Sequence, residues 1–377
     1  MQNKTHFKPD PRLEEAKAIS TVEVARRLEV PKLIDNGTWK SGPCFSCGGR
    51  DRFNIHKQDG GFFCRHKCGV GGNDGIALVQ QFLGVDFRAA LTWLCGDSTA
   101  VVDPAELERR KKRREAEESK VKDYAERARI RARADADAIW RRTVPAKGTL
   151  VENYFALRGL NLPEVPAAIR FLPDHPYVKK MNGRFETLHR GPCMIARILD
   201  PRGMGVAVHQ TWIDLSTPKG KAEIRFEGVD YVAKLVRGSM KGGVIPLRKP
   251  VGAHTLVMAE GIETTLAALV ADCVPDAAYF SGISLGNLSG QMTKVKGVAH
   301  SGQPKLDDKT AFVPGPWVRS LILVQDGDSA PKMTRAKLEA CILRAKSLRP
   351  GLRGFIVHAG VGIDLNDLLL RGAVRDE

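Results

Sequence analysis

The sequence predicts a multidomain protein of mixed α/β and α+β class, with a Rossmann-like parallel sheet in its C-terminal third. Two observations predict that sheet. Short apolar runs at 255–259, 320–325 and 353–359 are bounded by polar or glycine punctuation, and helical patterns follow the first two at 262–271 and 333–347. Strand, loop and helix repeated in this way imply right-handed crossovers, with ligands beyond the carboxyl ends of the strands. The second observation is that each run delivers acids: Glu260 after the first, Asp326 and Asp328 after the second, and Asp364 and Asp367 beyond the third. Asp-Gly-Asp is also ordinary turn chemistry, and a glutamate can open a helix. Three acidic turns in step, however, form the layout of a Mg²⁺ site for phosphoryl or nucleotidyl transfer.

Glu260-Gly261-Ile262-Glu263, Asp326-Gly327-Asp328 and Asp364-Leu365-Asn366-Asp367 resemble the Toprim domain of DnaG-type primases, topoisomerases and some nucleases, over roughly residues 253–372. The resemblance implies that Glu260, Asp326 and Asp328 bind Mg²⁺ or Mn²⁺, that Glu260 takes part in acid–base work, and that Asp364 fills the third acidic position. Two residues depart from the pattern: Asn366 stands where DnaG-type enzymes usually carry a second aspartate, and the stretch 329–332 replaces a small Ala-Gly helix entry.

The chain has 377 residues and a net charge of +16. That length allows two or three domains, and that charge favours a polyanionic partner, with nucleic acid first. The N-terminus has no apolar signal region, and no stretch approaches ~18 uninterrupted apolar residues, so neither secretion nor a membrane span is indicated. A cytoplasmic location is expected.

Four of the eight cysteines, Cys95, Cys193, Cys273 and Cys341, are scattered in apolar or helical contexts and read as core residues. The others cluster as Cys44-x₂-Cys47 and Cys64-x₃-Cys68 around a predicted hairpin, 52–56 returning at 61–63. In a chain without an export signal this spacing favours structural Zn²⁺ over disulfides, in a segment too small for a core of its own. The fourth ligand is Cys68 or His66, and the flexible glycines after Cys68 favour the cysteine. Residues 40–75 resemble the zinc ribbon of phage-type and satellite-phage-type primases. The resemblance implies contact with single-stranded template through Arg50 and Arg52, with Phe53 and Phe63 as stacking candidates.

Four domains are expected. Residues 1–98 form the zinc-binding domain, with flanking helices that include a Ser20/Glu23 capping box and a helix over 87–95. Residues 99–147 form a basic helical linker; from Arg109 to Lys147 it carries fifteen basic and seven acidic residues, half of the net charge. Residues 148–252 form a basic α+β region with a helix ending at Gly159, a hairpin turning at 200–203, and Lys234, Arg237 and Lys241 as candidates to hold template and incoming nucleotide, as the resemblance implies. Residues 253–377 form the Toprim domain. The expected function is a DNA primase making short primers on single-stranded DNA from nucleoside triphosphates, beside a separate replicative helicase, since no G-x₄-G-K-[ST] segment occurs. A Toprim nuclease and a non-catalytic DNA-binding replication adaptor are the alternatives. A topoisomerase would need a nucleophilic tyrosine, and Tyr124, Tyr154, Tyr177, Tyr231 and Tyr279 lie in linker, helix or core contexts.

Overall fold

The computed structural model describes residues 10, 12–30, 32–66, 68–96, 104–181, 184–295, 297–325, 330–358, 360, 362, 365–366 and 368–369. Contacts divide the chain into two compact units, Met1–Glu126 and Arg127–Glu377.

In the first unit, α1 (Arg12–Ala18) and α2 (Thr21–Arg27) precede a five-stranded antiparallel sheet in chain order: β1 (Ile34–Asn36), β2 (Trp39–Cys44), β3 (Gly48–His56), β4 (Phe62–Cys64) and β5 (Gly71–Gly72). Helices α3 (Gly75–Leu83) and α4 (Phe87–Cys95) follow. Ser20 caps α2 by accepting the Glu23 N–H at 3.2 Å. The Glu23 carboxylate is taken by Arg26 and Arg27, so the expected capping box is realised from its serine side. The predicted hairpin is β3–β4, with Phe53 opposite Cys64 and Ile55 opposite Phe62. Its turn needs Gly60, whose φ of 72° lies in the left-handed region. The ribbon's apolar residues are buried against the flanking helices. Phe53, Ile55 and Phe62 join Val24 of α2, Leu78 and Val79 of α3 and Leu91 of α4 in one buried cluster.

Helix α5 (Pro104–Arg141) crosses the division between the units. The second unit continues with β6 (Val144–Pro145), α6 (Leu150–Leu157), β7 (Ile169–Met181), β8 (Arg184–Leu199), β9 (Gly205–Trp212), a small hairpin of β10 (Ile224–Phe226) and β11 (Val229–Tyr231), and β12 (Lys234–Gly238). Strands β12-β9-β8-β7-β6 form an antiparallel sheet. After β13 (Ile245–Arg248) come β14 (Thr255–Ala259), α7 (Ile262–Val270), β15 (Ala278–Ser281), α8 (Leu285–Ser289), β16 (Ser320–Gln325), α9 (Pro331–Leu348) and β17 (Arg353–His358). Their sheet, β13-β15-β14-β16-β17, is parallel across β15-β14-β16-β17. It is not purely parallel, because β13 runs antiparallel along its edge. The boundary expected at 252/253 therefore falls after a strand that already pairs with β15. One cluster unites Tyr154 and Phe155 of α6, Met194 and Ile198 of β8, Ile245 and Leu247 of β13, and Ile262 and Leu266 of α7. This shared core brings the α+β region against the start of α7.

Between α8 and β16 the polar stretch 291–316 carries only isolated bridges, Met292 with Pro304 and Val295 with Val298, among its described residues. It is fastened from beneath. Fully buried Arg344 of α9 donates to the carbonyls of Ser289, Gln291, Lys305 and Asp308 at 2.9 to 3.3 Å. No helix among the described residues is long and apolar enough to cross a membrane.

Candidate active site and metal centre

The apolar run of β14 ends at Ala259, and Glu260 follows at the carboxyl edge of the sheet. Thr255 lies opposite Ser320 and Met258 opposite Leu323 in parallel register, while Gln325 lies opposite His358. Strands β14, β16 and β17 thus finish level at one edge, adjacent strands being about 4.8 Å apart. Asp326, Asp328 and Asp364 lie outside the described residues. Ser281, at the end of β15, donates from its hydroxyl to the Glu260 carbonyl at 3.0 Å and fixes the backbone of that turn.

Glu260 opens onto a cavity of about 260 Å³ lined by Arg158, His209, Lys221, Lys234, Gly261, Ile262, Glu263, Thr264, Ser281 and Ile283. At its floor is Glu263, 6 % exposed, in the first turn of α7, where the positive end of the helix dipole favours an acid. The Tyr154 hydroxyl donates to Glu263 Oε1 at 2.6 Å. Lys221 Nζ lies 2.8 Å from the same oxygen and Lys234 Nζ 3.6 Å from Oε2. Burial alone would raise the Glu263 pKa, but Lys234 and Lys221 hold the carboxyl well below its usual range. Burial lowers the Lys221 pKa, opposed by Glu263. Burial, and next Lys234, push the His209 imidazole down to about 4, so the ring is neutral at physiological pH. Burial raises the Tyr154 hydroxyl far above its ordinary value, with Glu263 adding to the effect. Arg158 lines the same cavity, and its Nε is buried without a hydrogen-bond partner among the described residues.

Two further features shape this cavity. Ile283 has φ 73°, a genuine outlier for a β-branched residue; such strain costs roughly 1–3 kcal/mol and clusters at functional sites. Asn366, 0 % exposed, donates from Nδ2 to the carbonyl of Arg158, while Leu365 and Leu369 pack on the same core as α6 and α7. The amide departs from the expected aspartate because it serves as a donor, a role no carboxylate fills.

Of the basic candidates, Lys234 lines the cavity, whereas Arg237 and Lys241 do not. Side chains alternate along a strand, so Arg237, three residues beyond Lys234 on β12, lies on the opposite face, and Lys241 is exposed in a turn. Sequence reading missed Lys221, Arg158, His209, Tyr154 and Glu263. A signal for one was available, since Glu263 follows Glu260 by three residues in the same motif.

In the first unit Cys44, Cys47, Cys64 and Cys68 bring their sulfurs within 4.8 Å of one another. Cys44 and Cys68 are 3.7 Å apart, and Cys47 and Cys64 3.5 Å. A tetrahedron with Zn–S bonds of ~2.3 Å has edges of about 3.8 Å, so the cluster fits structural zinc. The Val70 N–H holds the Cys68 thiol down to about 7, while burial and then the neighbouring sulfurs push Cys47 up to about 12. A divalent cation reverses such crowding by stabilising thiolates. His66 is exposed and is not one of the four clustered groups.

Arg50 is exposed. Arg52 is half-buried, donating to the Cys47 carbonyl at 3.3 Å beneath the first knuckle. Phe53 is fully buried, packed on Phe45 and Phe62, which corrects its candidacy as a stacking residue: no base can reach the ring. Phe63 is 41 % exposed and meets Trp39 edge-on at 5.5 Å, and the His56 ring lies 4.6 Å from Trp39.

A family model described as a domain of unknown function, DUF7146, matches residues 130–247. No curated protein matches the chain. Among solved structures, the chain is similar to the zinc-binding and RNA polymerase domains of the Aquifex aeolicus primase, at 15 % identity and TM-score 0.35, covering 97 % of this chain and 84 % of that one. It is similar also to a DNA primase domain from Pseudomonas aeruginosa, at 15 % identity and TM-score 0.38, covering 65 % and 77 %. A third is the primase fragment of the bacteriophage T7 primase-helicase protein, at 13 % identity and TM-score 0.29, covering 89 % and 96 %.

Proposed function

We propose that this chain is a Toprim-type DNA primase of the phage and plasmid kind, which makes short primers on single-stranded DNA by metal-dependent nucleotidyl transfer. The observation that carries the reading is the pocket in which Glu260, at the carboxyl edge of a parallel sheet, faces Lys221, Lys234 and Arg158. An acid for a metal beside cations for phosphates is the chemistry nucleotidyl transfer requires. The sequence motifs supply the rest: Glu260 with Asp326, Asp328 and Asp364 would hold Mg²⁺ or Mn²⁺. Such an ion would supply Lewis-acid stabilisation of phosphate charge.

The protein's own groups orient and neutralise. Lys221, Lys234 and Arg158 offset phosphate charge, and His209, held neutral, adds a polar wall without a further cation. Glu263 is spent on lysines and tyrosine and is not a metal ligand in this scheme. The zinc ribbon, with Arg50, Arg52 and Phe63, would engage template; a helicase on another chain would supply it. Residues 1–98, 99–147, 148–252 and 253–377 are the functional modules of this scheme.

The test is incorporation of labelled nucleoside triphosphates on short single-stranded templates with Mg²⁺ or Mn²⁺. Wild-type protein should make oligonucleotides, and Asp326→Ala with Asp328→Ala should not. Primers from the double variant would refute the site, and degradation of the template without incorporation would turn the reading to a nuclease.

A further inference from the structure

We propose that Glu263 is the positioning residue of this pocket, its carboxylate, seated on the Tyr154 hydroxyl, holding the Lys221 and Lys234 ammonium groups as a fixed pair that receives the polyphosphate of a nucleotide. The inference rests on the primase reading for the identity of the anion, and on geometry for the role of Glu263. Both carboxylate oxygens are committed: Oε1 takes Tyr154 at 2.6 Å and Lys221 at 2.8 Å, and Oε2 takes Lys234 at 3.6 Å. A carboxylate so occupied has little to offer a metal, in contrast to Glu260 across the cavity.

The arrangement joins distant parts of the chain. Tyr154 comes from α6, Lys221 from the loop after β9, Lys234 from the start of β12 and Glu263 from α7. Without an anchor two ammonium groups facing one cavity would repel, and the more buried, Lys221, would give up its proton more readily. Glu263 holds both in place before any ligand arrives, which is preorganisation. Arg158 lines the same cavity.

The proposal makes a prediction of sign that simple charge counting does not. Deleting a negative charge beside an anion site should tighten anion binding if Glu263 acts only as a charge. If it positions the lysines, the same deletion should loosen it. The full-length protein is titrated calorimetrically with inorganic tripolyphosphate, without divalent ions, at pH 8. Glu263→Gln is expected to weaken binding on the order of tenfold, the scale of one charge-assisted hydrogen bond. Tyr154→Phe, which keeps the buried ring and removes only the hydroxyl, should weaken binding in the same direction by a few-fold, and it decides alone if Glu263→Gln does not fold. In primer synthesis both variants should raise KM for nucleoside triphosphate more than they lower kcat.

Unchanged or tighter tripolyphosphate binding by Glu263→Gln overturns the positioning role. Primers made by Glu263→Gln with unaltered KM do so too, and leave the primase reading standing. Absence of incorporation by wild type removes that reading, and the tripolyphosphate titration then judges Glu263 by itself.

Discussion

Asn366→Asp installs the aspartate that the Toprim resemblance leads one to expect, and the structure predicts harm where the motif predicts repair. The side chain is 0 % exposed and its amide donates to the Arg158 carbonyl. An ionised carboxylate would place an acceptor against an acceptor. The orphaned carbonyl costs about 1–3 kcal/mol. With 1 kcal/mol worth roughly 2–4 °C in a domain of this size, Tm should fall by about 2–12 °C at pH 7. Protonation would let the new carboxyl donate to the carbonyl, so its pKa is raised on folding. The stability supplied by that proton is present below the unfolded carboxyl range and is lost as pH rises through the folded value. The gap to wild type should therefore narrow toward pH 4. Thermal unfolding monitored by circular dichroism across pH 4–8, paired with Mg²⁺ titration, reads both effects. A variant as stable as wild type at pH 7 that binds Mg²⁺ more tightly would refute the reasoning and return position 366 to the metal site.

Other outcomes follow from the same structure. Cys68→Ser should lose the bound zinc while His66→Ala keeps one ion per chain, as measured by metal analysis of purified protein, because only the cysteine belongs to the sulfur cluster. The His209 pKa falls from 6.5 to about 4 on folding, so the unfolded state binds more protons in that window. Its contribution is intact above about 6.5 and is lost as pH falls toward about 4, by roughly 3 kcal/mol; His209→Gln should flatten that limb of the stability profile. Arg344→Met should cost ~3–5 kcal/mol, since it strands the four carbonyls that Arg344 serves, with hydrogen exchange rising first between residues 289 and 308.

Legibility followed the range of the interactions. Strands β14 and β16 and helix α4 carry their boundaries in local pattern, and the four cysteines declare their cluster by spacing alone. The pocket is different. Tyr154 and Glu263 are 109 residues apart, and no periodicity links them. Lys234, Arg237 and Lys241 looked equivalent because they crowd in sequence, yet a strand period of two separates Lys234 from Arg237, and a turn carries Lys241 away. Phe53 and Phe63 share a composition signal but sit on different strands, one inward and one outward. Asn366 read as an impaired ligand because its partner, a backbone carbonyl near the end of α6, has no sequence signature.

The Arg344 clasp bears on how the second unit assembles and how it would be cut. Its acceptors lie 36 to 55 residues earlier in the chain, so the stretch 291–316 can be captured only after α9 has docked, a late, non-local event in folding. Once captured, a polar segment with no helix or strand among its described residues should behave unlike an ordinary surface loop. Limited proteolysis should spare it in the native protein and cleave it early whenever α9 detaches, making this apparently loose insertion a reporter of the integrity of the sheet behind it.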